Sequence, residues 1–141
     1  MTTRSLDFYP HRTFEKLRYG DTDRQDHVNN AVFATFLETG RVEILFDQVN
    51  PIKPPGTSFV IVRLELDYRA EVNWPGTVEI GTRIMGFGRS TVRLDQSVFQ
   101  NGQCVATGQT VIVLTDDTTH KSTPLPASLI ERLSKYLRPD D

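Results

Sequence analysis

Cysteine is almost missing from this chain. Cys104 stands alone, which excludes an internal disulfide and leaves any zinc site dependent on other ligands. Histidine is scarce as well, and positions 11, 27 and 120 are too scattered to suggest a structural metal. No apolar run reaches the roughly 18 residues of a membrane span, and the opening MTTRSLDFYPHR has no signal-peptide core. These absences set the expectation of a cytoplasmic protein without a membrane partner. Charge of one sign is not in excess either. The net charge is −2 and no basic run stands out, so nucleic acid is not an expected partner. Nothing repeats internally.

What is present is ordinary for a globular chain. A hydrophobic content of 38% with 24% charged residues suits one domain with a real core. At 141 residues folding should bury about two-thirds of the extended-chain surface. Residues 1–12 read as an N-terminal tail and residues 13–141 as the single domain. Thr13 to Tyr19 reads as a short strand with Leu17 and Tyr19 on one face.

The chain is organised around residues 19–46, YGDTDRQDHVNNAVFATFLETGRVEILF. Asp21, Asp23, Asp26 and His27 crowd one turn at the entrance to an apolar segment. Asn29 or Asn30 can cap a helix there, accepting from a first-turn N–H. Phe33, Phe36, Leu37, Gly40 and Ile44 then fall on one helical face. Val32, Ala34, Val42, Leu45 and Phe46 widen the apolar zone, so the helix should be enclosed. Gly40 costs up to about 1 kcal/mol of helix propensity relative to alanine, a cost that close approach to a sheet would justify.

The proline-rich segment 50–57 reads as a crossing loop. Four alternating runs follow. In the first, Val60, Val62, Leu64, Leu66 and Tyr68 share a face. The remaining three should form an antiparallel meander, with Asn101-Gly102 as a two-residue hairpin turn. After Pro126 a short helix should turn Leu129 and Leu133 inward, with Tyr136 or Leu137 beyond them. One helix cannot cover five strands on both faces. The sheet should therefore curl around it, with an edge or outer face protected by a second subunit.

This element order, with Asp-Thr-Asp followed by His-Val-Asn-Asn at the helix entry, resembles the hot-dog fold. More narrowly it resembles the 4-hydroxybenzoyl-CoA thioesterase family of acyl-CoA thioesterases. The likeness runs from about Thr13 to Thr115 and is most specific over Asp21–Asn30 and Phe36–Arg41, where Glu38 and Arg41 match a Glu-x-x-Arg pair. It implies an α+β fold in which a five-stranded antiparallel sheet wraps one long central helix.

The resemblance also implies a site. Asp23 matches the catalytic carboxylate, acting either as general base toward water or as nucleophile on the thioester carbon. The backbone N–H of Asn30, at a helix N-terminus, would polarise the thioester carbonyl. His27, Asn29 and Phe33 would border the substrate. Arg89, Ser90 and Thr91 match the strand junction near the pantetheine arm and nucleotide of CoA. No metal or bound cofactor is implied. The family builds its cleft between two protomers, so a homodimer, further paired as a dimer of dimers, is expected. One position departs from the pattern: Asp26 stands where the family usually has glycine, which would allow a positive φ, a region that aspartate tolerates better than most residues.

Plainer readings stand beside these. Asp23 can simply cap the turn, and Asp21 can bind turn amides. His27 can be a turn histidine with a satisfied side chain. Glu38 and Arg41 can be an ordinary helix ion pair. Arg89, Ser90 and Thr91 can be a solvated strand edge, and Cys104 an inert core residue. Two other functions also share the pattern: hydrolysis of acyl groups from acyl carrier protein, whose phosphopantetheine arm is the same, and non-catalytic acyl-CoA binding.

Overall fold

In a computed structural model, described here over residues 4–46 and 51–140, five strands form one antiparallel sheet against a long helix. The strands are β1 (His11–Lys16), β2 (Thr57–Tyr68), β3 (Thr77–Phe87), β4 (Thr91–Gln100) and β5 (Gln103–Asp116). The helices are α1 (Asn30–Leu45) and α2 (Ala127–Leu133). The sheet order is β1-β3-β4-β5-β2, so β3, β4 and β5 form the expected meander and β2 returns to an outer edge beside β5. Asn101 and Gly102, at φ 52° and 79°, make the tight turn between β4 and β5.

The helix begins where the sequence indicates. Asn29 is its N-cap, accepting from the Ala31 N–H at 3.0 Å. Phe33, Phe36, Leu37, Gly40 and Ile44 are all buried along one face. Enclosure is only partial, however, because Val42 and Phe46 remain exposed on the opposite side. Apolar content alone does not show which side a sheet will cover.

Gly40 is the point of closest approach. A Cβ there would lie 2.5 Å from Thr82 Oγ1 and 2.7 Å from Gln96 Nε2. Those two atoms cannot retreat cheaply. Gln96 is fully buried and donates to the Leu37 carbonyl and to Thr82 Oγ1, each at 2.9 Å. Arg41, also buried, donates to Gln96 Oε1 at 3.4 Å, and burial lowers its pKa despite the opposing pull of Glu38. The expected Glu38–Arg41 ion pair does not close; Arg41 turns into the sheet while Glu38 stays exposed. This polar belt separates two apolar clusters. One gathers Leu17, Val28, Phe33, Phe36, Val72, Val78 and Val98, and the other gathers Ile44, Ile84, Leu94, Ile112, Leu129 and Leu133.

Several boundaries move. The first strand covers His11–Lys16 rather than Thr13–Tyr19; Leu17 is buried but Tyr19 is 73% exposed in a 3-10 turn. The expected tail is also corrected over its described part. Tyr9 is 2% exposed, lies on Gly81 of the outer sheet face and shares a 2.5 Å hydrogen bond with Ser97 Oγ. Burial pushes the Tyr9 hydroxyl up to about 12. Arg4, Arg138 and Asp140 come together near it. Buried Arg83 donates to Asp95, to Asp140 and to the Arg138 carbonyl, and the guanidinium groups of Arg4, Arg83 and Arg138 all lie within 4.9 Å of the Phe8 ring centre. Cys104 is half-buried, and burial raises its pKa.

Replacing Gly40 with alanine should gain up to about 1 kcal/mol of helix propensity and lose about 1–3 kcal/mol to overpacking. Net destabilisation is therefore expected in chemical denaturation. Equal or higher stability would contradict the close approach.

Candidate active site

The turn from Asp21 to Val28 folds on itself before α1. Thr22 and Val28 form an antiparallel bridge, and the Asp23 N–H donates to the His27 carbonyl at 2.8 Å. Asp26 sits at the corner with φ 64°, the left-handed region anticipated for the position where the resembled family has glycine. Asp21 is buried and binds Arg18 twice, through the backbone N–H and through Nη2, each at 2.9 Å. Its carbonyl accepts the Asn29 N–H at 2.8 Å, which ties the turn to the helix cap.

Asp23 has two different oxygens. Its Oδ1 accepts from the Gln25 N–H at 2.8 Å and from the His27 N–H at 3.4 Å. Its Oδ2 takes no hydrogen bond from the described residues. One oxygen thus holds the turn and the other stays available. The first helical residue, Asn30, likewise has no protein acceptor for its N–H among the described residues, since the Asn29 side chain caps Ala31 instead.

Asp23 and Asn30 line one cavity of about 280 Å³. Its apolar wall is Val28, Phe33, Ala70 and Val72, with Tyr68, His27, Gln25 and Glu71 around the rim. Phe33 is fixed by edge-to-face contacts with Phe36 and Tyr68, at ring separations of 5.7 and 5.1 Å. His27 Nε2 is 3.0 Å from Glu71 Oε2, and the His27 backbone bridges Asn73. A carboxylate and a helix N-terminal N–H on residues lining one cavity can handle a carbonyl group: one can attack or deprotonate, and the other can stabilise oxyanion charge.

The sequence-expected residues do not all meet here. Asp23, His27, Asn30 and Phe33 line the cavity, and Asn29 supports it as the cap. Arg89, Ser90 and Thr91 lie at the other end of the sheet. On β5, Ala106 pairs with Tyr68 beside the cavity, whereas Val113 pairs with Thr91, seven residues or about 23 Å further along. Ser90 is buried, its carbonyl accepting the Leu114 N–H, while Arg89 is exposed. Tyr68 and Glu71 were not anticipated as site residues. Tyr68 has only the alternation of a strand, and Glu71 has no local pattern at all. Among the described residues no group of three or more His, Cys, Asp or Glu side chains is placed to hold a metal ion.

Comparison with known proteins bears on the family and the fold. A family model described as the thioesterase-like superfamily matches residues 17–133. Among solved structures, a thioesterase complexed with coenzyme A and zinc from Thermus thermophilus is 31% identical, with a TM-score of 0.81 over 95% of this chain and 99% of that one. A probable thioesterase from Escherichia coli is 27% identical, with a TM-score of 0.77 over 90% of this chain and 98% of that one. These likenesses establish the expected hot-dog fold. A 1,4-dihydroxy-2-naphthoyl-CoA hydrolase from Synechococcus elongatus is 33% identical over 78 residues, 55% of this chain; the match spans about half of that relative, 54% of its length.

The φ of Asp26 makes a stability forecast. Asp26→Gly should not lower thermal stability, whereas Asp26→Val, β-branched at positive φ, should cost about 1–2 kcal/mol. Equal melting of the two variants would show that the corner is not held there.

Proposed function

The chain belongs to the thioesterase-like superfamily, and on that premise we propose that it hydrolyses acyl-CoA thioesters to free acid and CoA at the mouth of α1. The observation that carries this reading is the pairing at one cavity, among the described residues, of a carboxylate with a free oxygen at Asp23 and an unpaired N–H at Asn30. In one route Asp23 takes a proton from water as the hydroxide attacks the thioester carbon. In the other it attacks directly, and water then cleaves the mixed anhydride. Either way the carbonyl oxygen gains negative charge facing the Asn30 N–H. The CoA thiolate leaves and takes up a proton. A thioester is activated enough for one carboxylate to suffice.

The exposed apolar edge supports a second subunit. Val60, Ile61, Val62, Leu64 and Tyr68 of β2 are between 39% and 59% exposed on an unpaired outer strand. A two-fold dimer that continues the sheet there, with its axis perpendicular to the strands, would pair β2 antiparallel with its own copy. That symmetry would set the Thr91 end of the partner's β4 about three strand spacings, roughly 14 Å, from Tyr68. Arg89 would then serve the CoA arm bound to the opposite protomer. A dimer of dimers extends the same reading. Acyl carrier protein is the other possible donor of the acyl group, and turnover of one acyl group on both carriers distinguishes the two.

A non-catalytic reading has its own support, because Asp23 Oδ1 already serves the turn. Asp23→Asn separates the alternatives. Asparagine keeps a side-chain carbonyl for the Gln25 and His27 amides, so folding should survive, while thiol release from acyl-CoA should fall by about 10²–10⁴-fold. Hydrolysis at the parent rate would refute the catalytic role. For the edge, Val62→Lys should convert the dimer to monomer in sedimentation and reduce turnover with the α1 turn intact; a monomeric parent, or a fully active monomer, would refute the two-protomer cleft.

A further inference from the structure

We infer that Tyr68 is a positioning residue for this reaction: its hydroxyl, donated to the Asn30 carbonyl, holds the first turn of α1 so that the Asn30 N–H stays aimed at the thioester oxygen. The inference rests on the hydrolytic reading above and extends it to a residue on another element.

The Tyr68 hydroxyl donates to the Asn30 carbonyl at 2.9 Å, across 38 positions of sequence. This bond repairs nothing in the helix. A helix N-terminus lacks acceptors for its N–H groups, whereas its first carbonyls already receive the N–H four residues on. The hydroxyl is therefore an added tether between the end of β2 and the start of α1. The peptide joining Asn30 to Ala31 is held on both sides: its oxygen accepts from Tyr68, and its N–H donates to Asn29 Oδ1 at 3.0 Å. The Asn30 N–H, one peptide earlier, is left unpaired beside this fixed plane.

The ring gives a second point of grip. It meets Phe33 edge to face, with centres 5.1 Å apart and planes at 82°, and Phe33 is 2% exposed and three residues beyond Asn30. Ring and hydroxyl thus restrain the same helical turn in two directions. The strand that carries Tyr68 is also the one whose apolar edge is open, so dimer contact there would bear directly on the tether.

Tyr68→Phe keeps the ring and removes only the hydroxyl. The expected result is a kcat lowered by roughly 10-fold or more, short of about 10²-fold, with KM little changed. A thioether analogue of the substrate, which lacks the carbonyl, should bind with parental affinity, and melting should be unaltered. Amide hydrogen exchange at Ala31, whose N–H is bonded to Asn29, should quicken, a readout that stands even if turnover is low. Parental kcat, or an equal loss of affinity for the thioether, would overturn the positioning role. The Asp23→Asn variant measured alongside keeps the two questions apart: parental activity in that variant defeats the hydrolytic reading itself, whereas parental activity in Tyr68→Phe alone defeats only the role of Tyr68.

Discussion

The buried amide of Gln96, donated to the Leu37 carbonyl across the notch left by Gly40, sets where the helix lies on the sheet. A side chain at position 40 would push α1 outward, and an unpaired Gln96 amide in this interior would cost about 1–3 kcal/mol. Contact and hydrogen bond therefore enforce one another. Once α1 is registered at its middle, both of its ends are determined. The Phe33–Phe36 half closes the cluster beneath the turn, and the Ile44–Leu45 half closes the cluster against α2.

That register places the candidate site. The helix mouth must meet the turn that precedes it, and Asp21 binds the two together by accepting from Arg18 through its side chain and from the Asn29 N–H through its carbonyl. Within that frame the aspartates divide their work. Asp21 is buried and fully engaged, Asp26 takes the left-handed corner, and Asp23 keeps one oxygen without a partner among the described residues. The Asn29 cap satisfies Ala31 and, among the described residues, leaves the N–H of Asn30 open, so a donor at the cavity comes from the backbone. Such a donor cannot be removed by substitution of its own side chain, which is why the groups that orient it matter.

Much of this was legible in sequence because it rests on local physics. The Asn29 cap, the buried face from Phe33 to Ile44, the Asn101-Gly102 turn and the inward Leu129 and Leu133 each follow from spacing or turn chemistry within a few residues. The left-handed corner at Asp26 was legible only through the resembled family's glycine at that position. What escaped depends on tertiary placement. Tyr9 was read as tail because its burial needs Gly81, more than 70 positions away. The alternation of β2 gives no hint that it forms an outer edge with most of its apolar residues exposed. Nor could spacing show that Arg89–Thr91 and Asp23 sit at opposite ends of the sheet, or that Tyr68 and Glu71 border the cavity.

Under the proposed function, the substrate carbonyl reacts between Asp23 and the Asn30 amide. A crystal structure with a ketone isostere of an acyl-CoA, in which methylene replaces the thioester sulfur, measures this directly. The account predicts the ketone oxygen within hydrogen-bonding distance of the Asn30 N–H and Asp23 Oδ2 facing the carbonyl carbon. A carbonyl bound elsewhere, such as the outer-face cavity between Tyr9 and Arg83, would contradict it.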